Sequence, residues 1–188
     1  MISIDEQKKK LRKEIRNLKK QQTQEQKETA SASIIESIEK HSFFKNAETV
    51  MVYWSMADEV ITHEAIQKWH MEKRIILPCV KGDILELREY TGIDSMKEGD
   101  FFKILEPQGP LFTELNELDL IIVPGVAFDI NNNRMGRGKA YYDGLLKTTN
   151  AFKLGICFDF QLLENIPADS HDIPMDGIIS DRRATIIP

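Results

Sequence analysis

The chain has 188 residues, enough for one substantial core and tight for two domains, and its 41% hydrophobic and 29% charged residues are those of a soluble globular protein. Its net charge of -5 removes any global electrostatic case for binding nucleic acid. No apolar run reaches the ~20 residues of a membrane span, and the basic start lacks the apolar stretch of a signal peptide, so no membrane partner is expected and the cytoplasm is the default compartment.

Residues 4–40 lack Pro and Gly, are rich in Lys, Glu, Gln and Ala, and are predicted to be helical. The pattern predicts two helices with a break near residues 21–25, where Thr23 can cap the second in a capping box with Gln26. Leu11, Ile15 and Leu18 give the first helix only a thin apolar stripe. Around it crowd Lys8, Lys9, Lys10, Arg12, Lys13, Arg16, Lys19 and Lys20. Strand and helix signals then alternate. Residues 49–54 (TVMVYW) read as a strand, and 62–71 as a helix capped by Thr62, with Ala65, Ile66 and Trp69 on one face. Residues 74–79 (RIILPC) are a second strand and 84–89 (ILELRE) a more exposed one. Residues 118–123 (LDLIIV) form a buried strand, 138–148 a helix, 152–158 (FKLGICF) a strand, and 177–179 and 184–187 short terminal strands. Such alternation predicts an α/β fold with a mostly parallel sheet and helices on its faces. Cys79 and Cys157 sit among apolar residues and read as small buried hydrophobes in a reducing compartment.

The richest segment is 121–146, IIVPGVAFDINNNRMGRGKAYYDGLL. It leaves a strand end, where open α/β sheets bind ligands. Gly136 and Gly138 let a ligand approach the main chain, the start of the following helix offers free N–H groups to an anion, and Arg134, Arg137 and Lys139 supply countercharge. Tyr141 and Tyr142 point about 100° apart on a helix, so one can serve the core and the other a ligand. Asp143 is either a Mg²⁺ ligand or a first-turn acid favoured by the helix dipole.

VPGVAFDINNNRMGRGKAYYD resembles the signature of the 5-formyltetrahydrofolate cyclo-ligase family, roughly P-G-x-A/G-F-D, a short turn, then R-L/M-G-x-G-x-G-Y-Y-D. The resemblance extends over nearly the whole chain. KKKLR at 8–12 is similar to the family's basic start, SMADE at 55–59 to its S-x-x-x-E, and ILEP at 104–107 and HDIPMD at 171–176 to later segments. Two departures stand out. Ala140 replaces the glycine usual before the tyrosine pair, and the turn at 131–133 lacks its usual glycine, which asparagine can replace in a left-handed conformation.

The resemblance implies a single domain over residues 1–188, folded as a Rossmann-like three-layer α/β sandwich with an N-terminal helical segment. It implies an enzyme that uses ATP and Mg²⁺ to convert 5-formyltetrahydrofolate to 5,10-methenyltetrahydrofolate. Carried over residue by residue, Lys8, Arg12, Arg134, Gly136, Arg137, Gly138, Lys139 and Tyr142 would meet ATP, with Arg137 and Lys139 catalytic. Trp54, Met56, Glu59, Phe102 and Tyr141 would meet the folate, and Asp143 and Asp172 the metal. His63 and His171 receive no role, because no step demands a histidine. A monomer is the default. The alternatives are another α/β enzyme that binds a nucleotide or sugar phosphate, and a nucleic-acid binder acting through the basic helix, which the net charge disfavours.

Overall fold

The computed structural model describes residues 3–82, 84–99, 104–169 and 171–186. Two long helices open the chain, α1 (Ile4–Gln21) and α2 (Gln24–Lys40). Ser3 and Thr23 cap them, each in a reciprocal capping box with Glu6 or Gln26, so the expected break and its chemistry are both present. A short α3 (Ser42–Asn46) leads to β1 (Thr49–Met51), α4 (His63–Trp69), β2 (Arg74–Lys81) and β3 (Ile84–Glu89). A small pair, β4 (Lys97–Glu98) and β5 (Leu105–Glu106), precedes β6 (Leu120–Val123), β7 (Ala127–Asp129) and β8 (Arg134–Met135). The chain continues through α5 (Tyr141–Leu146), β9 (Phe152–Ile156), β10 (Leu162–Leu163), β11 (Gly177–Ile179) and β12 (Ala184–Ile186).

Among the described residues the main sheet runs β12-β11-β9-β6-β1-β2-β3. Its inner strands are parallel, and β12 and β3 are antiparallel edges. The mixed α/β class and mostly parallel sheet match the expectation. Counting the parallel strands alone in chain order gives 2-1-3-4-5, a common doubly wound order with its switch point between β1 and β6.

The inner strands are buried on both faces, and side-chain alternation assigns residues to two cores. On one face Val50, Ile75, Leu77, Leu120 and Ile122 meet Ile34 and Ile38 of α2, Phe44 of α3, and Ala65, Ile66 and Trp69 of α4. On the other, Met51, Ile76, Ile121 and Val123 meet Phe128, Leu146 and Met175. This second cover is mostly loop, with only the short α5 as helix, so the third layer is less regular than the sandwich expected. Cys79 and Cys157 are buried and unbridged, and burial pushes the Cys79 thiol up to about 12.

Several boundaries differ from the sequence reading. The 49–54 strand ends at Met51, after which Val52 still bonds Ile76 O and the chain leaves the ladder. Thr62 precedes α4 but does not cap it with its side chain. Its hydroxyl donates to Tyr53 O at 2.7 Å and accepts from Ser55 N at 3.2 Å, closing the turn after β1 instead. The helix expected from 138 begins only at Tyr141, because Gly138 (φ 98°) and Ala140 (φ 54°) are left-handed. The last expected strand, 184–187, is seen as Ala184–Ile186, and residue 187 lies outside the described residues.

A separate small sheet, β10-β7-β8, was not apparent in the sequence pattern. Its centre is Asp129, 1% exposed, whose carboxylate accepts from Asn131 N, Asn133 N, Asn133 Nδ2 and Ile166 N. Asn132 takes the left-handed conformation expected of this turn (φ 65°). Phe128, fully buried, lies so close to Gly125 and Gly155 that a Cβ on either would stand 2.5 Å from its ring. We therefore expect Gly155→Ala to overpack this core and destabilise the fold by about 1–3 kcal/mol. A thermal melt should drop by roughly 2–4 °C per kcal/mol; an unchanged melt would refute the close approach.

Candidate active site

The switch point between β1 and β6 opens into a cleft of about 280 Å³, near the lower end for small-molecule sites. The turn after β1 contributes Tyr53, Trp54, Met56 and Glu59, and the loop after β6 contributes Pro124, Gly125 and everything from Arg134 to Asp143. The β2–β3 hairpin supplies Pro78, Val80 and Leu85 as an apolar wall. Lys8 and Arg12 of α1 and Asp172 of the C-terminal segment complete the rim. Every sequence-selected site residue lines this one cleft except Phe102, which lies outside the described residues.

The position of α1 follows from its inward stripe. Lys8, Arg12, Ile15 and Lys19 follow helical spacing along one face. Only Ile15 is fully buried, among Ala127, Met135 and Ile166, while Leu18 remains 40% exposed. Leu11, half-buried, packs on the same cluster, and the other contacts of the stripe are polar. Lys8 Nζ meets Asp172 Oδ2 at 2.6 Å, Arg12 Nε donates to Gly136 O at 3.0 Å, and Lys19 Nζ meets Asp58 Oδ2 at 3.2 Å. Gly138 lies against the Arg12 guanidinium, 3.6 Å from where its Cβ would stand.

The cations of the 134–139 loop are not equivalent. Arg134 is buried, donates to Asp143 Oδ1 at 2.7 Å and Pro124 O at 3.4 Å, and sits 5.8 Å over the Tyr142 ring. It braces the base of the loop more than it faces solvent. Arg137 Nη2 donates to Asp58 Oδ1 at 2.6 Å and Glu59 Oε1 at 3.0 Å. Burial alone would lower its pKa, but the two carboxylates outweigh that and raise it, so the guanidinium stays charged. Lys139 is exposed and forms no ion pair with a described residue.

The two tyrosines point apart, although both border the cleft. Tyr142 is half-buried against the second core, and burial holds its hydroxyl protonated by raising its pKa far above normal. Tyr141 turns toward the hairpin and donates to Gly82 O at 3.2 Å. Trp54 stacks on His63 with centroids 4.2 Å apart and an interplanar angle of 19°. His63 Nε2 donates to Ser55 O at 3.0 Å, and burial keeps the ring below its usual pKa despite that bond. Glu59 Oε2 accepts from Met56 N at 2.9 Å, which fixes the carboxylate at the cleft edge.

Among the described residues no cluster of three or more His, Cys, Asp or Glu side chains could hold a metal ion unaided. Asp143 and Asp172 do border the same cleft. That donor set suits Mg²⁺, which binds one or two carboxylates together with phosphate oxygens. The helix whose first N–H groups were expected to face an anion is the six-residue α5, which begins at Tyr141 rather than at 138. Sequence reasoning also missed Lys19, Asp58 and the hairpin wall. For Lys19 a signal existed, since it continues the Lys8–Arg12–Ile15 stripe.

A doubly wound sheet whose switch point opens into a cleft lined by cations, carboxylates and aromatic residues has the layout of an α/β enzyme. Comparison with known sequences narrows the class: a profile of the 5-formyltetrahydrofolate cyclo-ligase family matches residues 4–181, and the chain belongs to that family. It is 31% identical over 179 residues to the 5-formyltetrahydrofolate cyclo-ligase of Haemophilus influenzae, covering 90% of this chain and 95% of that one. It is 30% identical to a probable 5-formyltetrahydrofolate cyclo-ligase of Caenorhabditis elegans, covering 99% and 98%. The solution structure of Aquifex aeolicus 5,10-methenyltetrahydrofolate synthetase superposes with a TM-score of 0.87 at 31% identity, covering 96% of this chain and 92% of that one. The corresponding synthetase from Mycoplasma pneumoniae gives 0.73 at 25% identity, covering 93% and 98%.

Ala140, the departure from the family glycine, adopts a conformation that glycine takes without strain. Its methyl group therefore costs backbone energy at the head of α5. Ala140→Gly should stabilise the protein by roughly 1 kcal/mol, raising the melting temperature by roughly 2–4 °C. A lower melting temperature would show that the methyl group makes compensating contacts.

Proposed function

We propose that residues 1–188 form a single-domain 5-formyltetrahydrofolate cyclo-ligase, which uses ATP to convert 5-formyltetrahydrofolate to 5,10-methenyltetrahydrofolate, ADP and phosphate. The observation that carries this reading is the meeting, in one cleft, of the cations Lys8, Arg12, Arg137 and Lys139 with Glu59, Trp54 and Tyr141. A formamide is a poor electrophile, and its oxygen leaves poorly as hydroxide. Transfer of the γ-phosphoryl group from ATP to that oxygen breaks the bond to ADP and creates a good leaving group. The neighbouring folate nitrogen then attacks the formyl carbon and loses its proton, and phosphate departs with the oxygen.

The protein's task in this scheme is positioning and charge stabilisation. Lys139, exposed at the loop, meets the transferring phosphoryl group. Arg12 and Lys8 neutralise the remaining phosphates from the α1 side, while Gly136 and Gly138 allow close approach of the loop backbone. Arg137 stands between the phosphate end and the Glu59 end. Arg134 and Tyr142 support the loop from below, which favours an indirect part for both in ATP binding. Glu59 hydrogen-bonds the amino-pyrimidine edge of the pterin, and Trp54, Met56 and Tyr141 line its faces. Mg²⁺, held by Asp143 and Asp172 together with phosphate oxygens, would spread the phosphoryl charge. The substrates are soluble small molecules, and in this reading the enzyme works as a cytoplasmic monomer without a nucleic-acid or membrane partner. Among the described residues no helix is long and apolar enough to cross a membrane.

Incubation with 5-formyltetrahydrofolate, ATP and Mg²⁺ should produce the near-ultraviolet absorbance of the methenyl product. Absence of an ATP-dependent signal from folded protein would sink the reading. Lys139→Ala should lower kcat by on the order of 10²-fold, as for loss of a donor aimed at developing charge, with an unchanged melting temperature. Full activity in that variant would remove Lys139 from the phosphate site.

A further inference from the structure

Asp58 adjoins Glu59 in the turn after β1, yet it does not line the cleft, and neither does Lys19. Its two oxygens face different elements. Oδ1 accepts from Arg137 Nη2 at 2.6 Å in the loop after β6, and Oδ2 accepts from Lys19 Nζ at 3.2 Å on α1. The Lys19 side chain is only 8% exposed, so its ammonium is largely withdrawn from water. Burial lowers its pKa and Asp58 opposes that shift, while Asp58, despite its own burial, is held below the usual carboxylate range by Lys19 and Arg137. The same Arg137 nitrogen that reaches Asp58 also reaches Glu59. Lys27 of α2 steadies the turn further by donating to Ala57 O at 2.8 Å.

Building on the proposed reaction, we infer that Asp58 is a positioning residue: by bridging Lys19 and Arg137 it fixes Arg137 against Glu59 and couples the docking of α1 to the substrate end of the cleft. Lys8, Arg12 and Lys19 ride on one rigid helix. A movement at the Lys19 end therefore displaces the two cations at the phosphate end. Removing the Asp58 charge leaves Lys19 withdrawn from water without its ion-pair partner and with only the more distant Glu59 as a compensating charge, a state that breaking a buried pair makes costly. Lys19 then turns outward and α1 loosens, while Arg137 keeps only Glu59.

Asp58→Asn tests this, because the amide keeps the shape and removes the charge. KM for 5-formyltetrahydrofolate and for ATP should each rise about tenfold while kcat stays within about threefold. Hydrogen exchange of α1 amides should quicken by a similar factor. Asp58→Glu, which keeps the bridge, should hold both KM values within about threefold of the parent. The double variant Lys19→Met, Asp58→Asn should be no worse than Asp58→Asn alone, since both act on one bridge. Parent-like KM values and α1 exchange in Asp58→Asn, or multiplicative losses in the double variant, would overturn the inference. If the parent makes no methenyl product, the reaction assignment fails separately, and α1 exchange still judges the bridge.

Discussion

A helix that turns three cations inward can dock only where oxygen atoms wait for it. α1 meets this constraint with a carboxylate at each end of its stripe, Asp172 for Lys8 and Asp58 for Lys19, and a carbonyl, Gly136 O, for Arg12. Apolar packing contributes one fully buried side chain, Ile15. The helix is thus held by the same kind of charge complementarity that the proposed reading assigns to the cleft and its substrates. Docking and the proposed recognition draw on one set of groups. In the proposed reading, anionic substrates entering beside Lys8 and Arg12 would compete with Asp172 for Lys8. In that reading the stability of this corner and its affinity for phosphate would be linked.

The loop after β6 shows how charges of one sign can be packed closely without mutual repulsion dominating. Each arginine has its own carboxylate: Arg134 takes Asp143, and Arg137 takes Asp58 and Glu59. Lys139 alone among these loop cations has no ion-pair partner among the described residues. Burial grades the three, from Arg134 in the interior to Lys139 in solvent. A motif that reads in the sequence as one basic cluster is in three dimensions a buried brace, a bridge to two carboxylates and an exposed lysine.

Features set by neighbours in the chain were legible in the sequence. The Thr23–Gln26 capping box, the alternating buried strands and the left-handed Asn132 are all decided within a few residues. The family pattern exposed most of the cleft, since its motifs fall at strand ends. What escaped depends on tertiary partners. The Lys19–Asp58 bridge joins residues 39 apart, which no periodicity can announce. Thr62 looked like a cap because its type and place fit, but the Tyr53 carbonyl nearby offered its hydroxyl a better partner. The helix at 138–148 looked continuous because Ala favours helices, yet Ala140 is left-handed where the family uses glycine.

The Lys8–Asp172 contact joins residues 164 apart in sequence, and Arg12–Gly136 joins residues 124 apart. Closing such loops carries an entropic cost before any contact offsets it, and non-local contacts of this kind slow folding. The parallel strands must already be in order before the oxygens that receive α1 exist in the right place. The cleft is therefore complete only when contacts between residues far apart in sequence have formed on the assembled sheet. Turnover in this protein is a stricter reporter of completed folding than any spectroscopic signal from its sheet.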